Sequence, residues 1–225
     1  MNELFMTDDL IKILLVLVLG TAALIITQRS LTSLFSIYAI QSAILAAVAL
    51  SLFITEGTTS LLFMAIITIL SKVVIIPLFL RRLLAVMPIK RDLEFRYLTP
   101  ISSIILSTVL FFVVYQAFSP LSVALEASPL FILGAVIGVS LALMGMMVIM
   151  SRKKVITKII GYLSMENGVL LFSLFIAEMP FIIEVLIVVD LLMIIVLSAV
   201  LAFGIDSSVE EFHKRLNQLG LDSED

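Results

Sequence analysis

IIGYLSMENGVLLFSLFIAE, residues 159–178, decides how the rest of the chain is read. At about 1.5 Å per residue the stretch is long enough to cross the roughly 30 Å of a bilayer's hydrocarbon. It nevertheless places a carboxylate, Glu166, beside an amide, Asn167, near its middle. A charge at the bilayer centre costs about 2.5–3.5 kcal/mol even on insertion scales, so Glu166 must face protein or water and not lipid. The stretch is therefore a membrane helix with an inward face, and the question is what the glutamate meets there.

Composition points the same way. The chain has 225 residues, 62% of them hydrophobic and 14% charged, with a mean hydropathy of +1.26. A soluble domain of that size could not bury so much apolar surface, so lipid is the solvent for most of it. There is no cysteine, and the single histidine, His213, lies in the polar C-terminal tail. The usual intramembrane ligand sets for iron–sulfur clusters and haem are missing, so no metal or organic cofactor is expected in this chain and any electron carrier belongs to a partner. Nothing in the charge distribution calls for nucleic acid. The N-terminus, MNELFMTDDL, is acidic where a secretory signal would be basic, and residues 10–27 are expected to form a retained span.

Seven apolar runs, near 10–27, 31–54, 60–83, 98–118, 129–150, 155–177 and 180–204, predict an all-α, polytopic membrane protein with seven transmembrane helices. The basic residues orient it. Arg29, Arg81, Arg82, Lys90, Arg91, Arg96, Arg152, Lys153, Lys154, Lys158, Lys214 and Arg215 are twelve of the fourteen, and all fall on one side of such a path. The positive-inside rule makes that side cytoplasmic, which puts the N-terminus outside and the C-terminus inside. Lys12, at the outer end of the first span, and Lys72, within the third, depart from the pattern. The tail, DSSVEEFHKRLNQLG, opens with a capping box at Ser207 and Glu210 and sets Val209, Phe212, Leu216 and Leu219 on one stripe, an amphipathic helix for the membrane surface or a cytoplasmic partner.

A duplication is also suggested. SLFITE at 51–56 and SLFIAE at 173–178 match at five of six positions. Arg29 and Arg152, Tyr38 and Tyr162, and Gln41 and Glu166 precede them at similar distances, and Lys72 and Asp190 follow one span later. Spans 1–3 and 5–7 would then be parallel three-helix units separated by the fourth span. The corresponding division is 1–97, an N-terminal three-helix unit; 98–128, a linking fourth helix with its outer loop; 129–205, a C-terminal three-helix unit; and 206–225, the amphipathic tail.

Counting residues gives depth. Lys72 lies about 18 Å below the outer start of its span, Glu166 about 16 Å above the inner start of its own, and Asp190 about 15 Å down. All three reach one middle plane, with Gln41 and Asn167 as polar companions. Burial disfavours the charged form of either sign, so such groups can exchange a proton with a neighbour and form a relay; the alternative is a buried ion pair that fixes helix register. Gly161, Ser164 and Gly168 make room around Glu166. Pro77, five residues after Lys72, has no N–H and loosens its helix just below the lysine. Glu184, about 6 Å inside the seventh span, is a candidate gate to the relay.

ITILSKVVIIPLFL at 67–80, IIGYLSMENG at 159–168, EVLIVVDLLMIIVL at 184–197 and YAIQS at 38–42 resemble the hydrogenase-4 component E family over all seven spans. The last three helices are also similar to the K subunit of bacterial complex I and the C subunit of multisubunit sodium/proton antiporters. The resemblance implies a non-catalytic subunit, in the cytoplasmic membrane, of a complex I-like group 4 [NiFe] hydrogenase or formate hydrogenlyase. Its partners would be antiporter-like and other membrane subunits and a peripheral hydrogenase arm holding the iron–sulfur clusters and the nickel–iron centre. Lys72, Glu166 and Asp190 would belong to the hydrophilic axis that couples redox chemistry to proton or sodium translocation. One departure is plain: the small complex I subunit carries its second-helix glutamate in a GLE-like pattern, aligned here with Gly161-Tyr162-Leu163, so the carboxylate has moved nearly one turn to Glu166. Two other roles share the same residues, a subunit of a stand-alone sodium/proton antiporter and a purely structural spacer. A seven-helix retinal protein fits poorly, because the lysine lies in the third span and the chain has no tryptophan.

Overall fold

In hydrocarbon every backbone N–H and C=O must be bonded within the segment, and the apolar runs meet that demand as helices. The computed structural model describes residues 2–86, 99–124, 128–152 and 155–176, together with residues 185, 188–190, 192–196 and 199. Along it run α1 (Asn2–Thr27), α2 (Leu31–Glu56), α3 (Thr59–Thr68), a π-helical stretch (Ile69–Ile75), α4 (Ile76–Val86), α5 (Pro100–Ala124), α6 (Pro129–Ser151) and α7 (Val155–Ile176). The described residues between 185 and 199 are helical as well. Five segments are long and apolar enough to cross a membrane: Thr7–Thr27, Leu31–Glu56, Thr59–Ala85, Ile101–Pro120 and Pro129–Ser151. They coincide with the first five expected runs, and α7 coincides with the sixth. The chain is thus an all-helical, membrane-embedded protein.

Local chemistry sets the joints. Gly57 ends α2 in the left-handed region, φ 71°, where its N–H reaches the Phe53 carbonyl at 2.8 Å. Ser128 caps α6 by accepting from the Phe131 N–H at 3.2 Å, with Pro129 at the first helical position. Two expectations need correction. The fourth run is expected to end near residue 118, yet α5 continues through Pro120 to Ala124, because a proline this near a helix end withdraws a single bond. The third run was to be one α-helix loosened below Lys72; instead the winding changes to π from Ile69, ahead of Pro77, and the Ile76 N–H bonds the Ser71 carbonyl five residues back. The capping box at Ser207 and the amphipathic tail lie outside the described residues.

Because the helices are apolar all round, the buried faces are chosen by small and polar residues and by shape. Large hydrophobics such as Ile13, Val16, Ile54, Leu78 and Met150 point outward, while Gln41, Ser42, Thr68, Ser71, Lys72, Ser164 and Asn167 lie inside. The tightest contact is between α6 and α7. A Cβ built on Gly138 would come within 2.6 Å of the Phe172 backbone nitrogen. One on Gly145 would strike the Met165 backbone and reach within 2.7 Å of the Gly161 carbonyl, and one on Gly168 would strike the Ala142 backbone. Gly134, Gly138, Ala142 and Gly145 thus form a small-residue stripe on α6 that receives Gly161 and Gly168 of α7.

A second anchor was not legible in the charge pattern. Arg152, counted above among the cytoplasmic loop residues, is 2% exposed, and its Nη2 donates to the carbonyls of Ile26 at 2.7 Å and Gln28 at 3.0 Å. Those carbonyls lie at and just past the end of α1, where helix bonding runs out and the dipole favours a cation, so the guanidinium ties the end of α6 to the end of α1.

The glycine seam yields a paired prediction. Gly168→Ala must push α6 from α7 and should lower stability by about 1–3 kcal/mol, as overpacking does. Gly20→Ala, where nothing lies within 4 Å of the new methyl, should be neutral or stabilising by up to about 1 kcal/mol. Thermal unfolding of the purified chain in nanodiscs compares the two.

Candidate functional site

Lys72 lies on the π-helical stretch, where neighbouring residues turn through a smaller angle than in an α-helix; Ser71 and Lys72 are accordingly both buried. The lysine side chain is fully inaccessible, and its Nζ stands 3.1 Å from Glu166 Oε1 and 3.5 Å from Asp190 Oδ1. Ser71 Oγ donates to the other oxygen of Asp190, Oδ2, at 2.8 Å. One ammonium therefore bridges two carboxylates from two other helical segments, with a hydroxyl fixing one of them. In a low-dielectric interior such a contact is far stronger than at a surface, and so is the penalty for removing one member.

A neutral polar layer from α2 and α7 adjoins the charges. Gln41 Oε1 accepts from Ser164 Oγ at 3.2 Å and from Asn167 Nδ2 at 3.2 Å, and Asn167 Nδ2 also donates to Ser42 Oγ at 3.0 Å. Tyr38, one turn before Gln41 on the same face of α2, is buried within electrostatic reach of Glu166 and Asp190. Several polar atoms here have no aligned hydrogen bond: Tyr38 OH, Gln41 Nε2, Lys72 Nζ, Glu166 Oε1 and Oε2, Asn167 Oδ1 and Asp190 Oδ1. Buried polar atoms are almost always satisfied, and here the ion pairs of Lys72 with Glu166 and Asp190 supply part of that satisfaction. The set contains nitrogen donors, carboxylate acceptors and a phenol that can be either.

Of the residues chosen from sequence, Lys72, Glu166 and Asp190 meet in ion-pair contact. Gln41 and Asn167 bond each other beside them and do not touch the lysine through any hydrogen bond. Glu184 lies outside the described residues. The sequence reading missed Ser71, Ser42 and Tyr38 as members of the site. Each had a signal, since Ser71 adjoins Lys72, Ser42 adjoins Gln41 and Tyr38 precedes it by one turn. Among the described residues no group of three or more His, Cys, Asp or Glu side chains could hold a metal ion. No family model matches the chain, and no match was found among curated proteins or solved structures.

The charge count predicts an asymmetry. Lys72→Met leaves two buried carboxylates without a cation and should lower stability by about 3–5 kcal/mol. Glu166→Gln leaves the ammonium paired with Asp190 and should cost no more than about 1.5 kcal/mol, the scale of one hydrogen bond. Denaturation of both variants in the same nanodiscs at neutral pH measures the difference.

Proposed function

We propose that this chain is a non-catalytic membrane subunit of a complex I-like, energy-converting hydrogenase of the formate hydrogenlyase type, and that Lys72, Glu166 and Asp190 form its stretch of the ion-translocating axis. The observation that carries the reading is the bridging lysine: a buried ammonium within 3.1 and 3.5 Å of two carboxylates is an arrangement in which a proton can pass between nitrogen and oxygen with little movement. Intramembrane ionisable groups facing a protein interior are the usual material of proton relays in pumps and transporters. The component E resemblance of SKVVIIP at 71–77 and SMENG at 164–168 supplies the kind of assembly, because those stretches contain Lys72 and Glu166.

The finer topology belongs to the same proposal. The chain crosses the cytoplasmic membrane seven times, N-terminus outside and C-terminus inside. Arg152 supports this by bringing the ends of α1 and α6 to one level, as the first and fifth spans of such a path require. Arg81 does likewise, reaching Ser36 near the start of α2 at 3.3 Å. The duplicated three-helix unit gains support from its own matched positions. Lys72 contacts its counterpart Asp190, and Gln41 accepts from Ser164 two residues from its counterpart Glu166. Antiporter-like subunits and a redox arm would be the neighbours.

In the intact complex, Lys72→Ala, Glu166→Ala and Asp190→Ala should each lower coupled ion translocation by roughly 10²-fold, the scale of one lost proton-transfer group, while dye-linked hydrogen oxidation by the peripheral arm persists. Translocation in inside-out vesicles and dye reduction, with mass spectrometry of the co-purified subunits, check this. Unchanged translocation in all three variants makes the chain a structural spacer.

A further inference from the structure

The cluster has an unusual feature for an ion path: its cation is already built in. Glu166 Oε1 and Asp190 Oδ1 both face Lys72 Nζ, and Ser71 Oγ is bonded to Asp190 Oδ2. Two carboxylates and a hydroxyl are the hard oxygen donors that alkali and alkaline-earth cations take. The space those oxygens enclose is filled by the ammonium. We propose that Lys72 is a tethered cation that closes the Glu166, Asp190 and Ser71 oxygens to sodium, so that the path through this chain carries protons.

The proposal rests on the translocation reading above and narrows it to one ion. A sodium ion held by either carboxylate oxygen would lie within a few ångströms of the ammonium, where repulsion in a low-dielectric interior is severe. The lysine is held at those oxygens: Lys72 is 0% exposed, and Thr68 and Ile76, about one turn to either side, are buried too.

The adjoining polar layer adds little for a bare cation. Gln41 Oε1 is already taken by Ser164 and Asn167, and Gln41 Nε2 presents N–H donors. Asn167 Oδ1, Glu166 Oε2, Gln41 Nε2 and Tyr38 OH mix acceptors with donors, which suits a proton passed between groups better than a bare cation. The step is balanced within the cluster. One N–H bond of the Lys72 ammonium breaks, an O–H bond forms on Glu166 or Asp190, and an amine and a carboxylic acid replace an ion pair with no other reactant.

The test uses sodium alone and needs no translocation assay, so its failure is separable from failure of the relay. The full chain in nanodiscs is heated in sodium chloride and in choline chloride of equal ionic strength, and ²³Na line broadening is recorded at neutral pH. Wild type should show the same Tm in both salts and no broadening above empty nanodiscs. Lys72→Met should gain a sodium-specific rise of roughly 3 °C together with line broadening, and adding Asp190→Asn should remove both. Lys72→Gln, which retains a polar side chain, should gain sodium binding in the same sense and serves if Lys72→Met does not fold. Sodium binding by wild type that Asp190→Asn abolishes would overturn the proposal, as would a folded Lys72 variant that ignores sodium.

Discussion

An ammonium group held between two carboxylates inside the helix bundle constrains the whole structure. A membrane helix carrying Lys72 alone could not remain in lipid at this depth, and the helices bearing Glu166 and Asp190 are under the same restriction. Each is stable only in the company of the others, so α2, the third span, α7 and the helical residues around Asp190 must gather on one axis with these side chains inward. The apolar exterior is the complement of that demand.

Holding such a cluster takes precise placement of backbone, and two devices provide it. The glycine stripe of α6 lets α7 approach until backbone meets backbone, which fixes the rotation of α7 and hence the direction of Glu166 and Asn167. The π-helical stretch turns Ser71 and Lys72 toward the same side, so one residue orients Asp190 while the next bridges both acids. Arg152 adds a strut at the membrane edge, trading a solvated charge for two carbonyls at the end of α1. The consequence is a cluster of ion-paired groups fixed in place by three packed helical segments, with several of its polar atoms outside any hydrogen bond.

Much of this was legible in the chain. The lengths of the first six apolar runs placed their helices, and residue counting placed Lys72, Glu166 and Asp190 at one level, because the rise of a helix is fixed. Which faces touch was not legible, since helices apolar all round carry no periodic signal and only Gly161, Ser164 and Gly168 hinted at a seam. The burial of Arg152 was not legible, because charge patterning counts a basic residue after a span without seeing the neighbouring helix end that receives it. The change of winding at Ile69 was half-visible in Pro77, but a proline announces a weakened bond without saying how far upstream the helix will absorb it. Tyr38 and Ser42 were hidden in plain sight, one on a repeat match and one in a motif, until Gln41 and Asn167 bonded beside them.

The central claim is a position, that of the Lys72 nitrogen between two acids inside a bilayer. Solid-state NMR of the chain in lipid, with ¹⁵N at lysine Nζ and ¹³C at the Glu and Asp carboxyl carbons, measures it through dipolar dephasing. The account predicts rapid dephasing of the Lys72 signal by both Glu166 and Asp190, with nitrogen and carboxylate within about 4 Å, and its partial loss in Glu166→Gln and in Asp190→Asn. A Lys72 signal that neither substitution alters would contradict it.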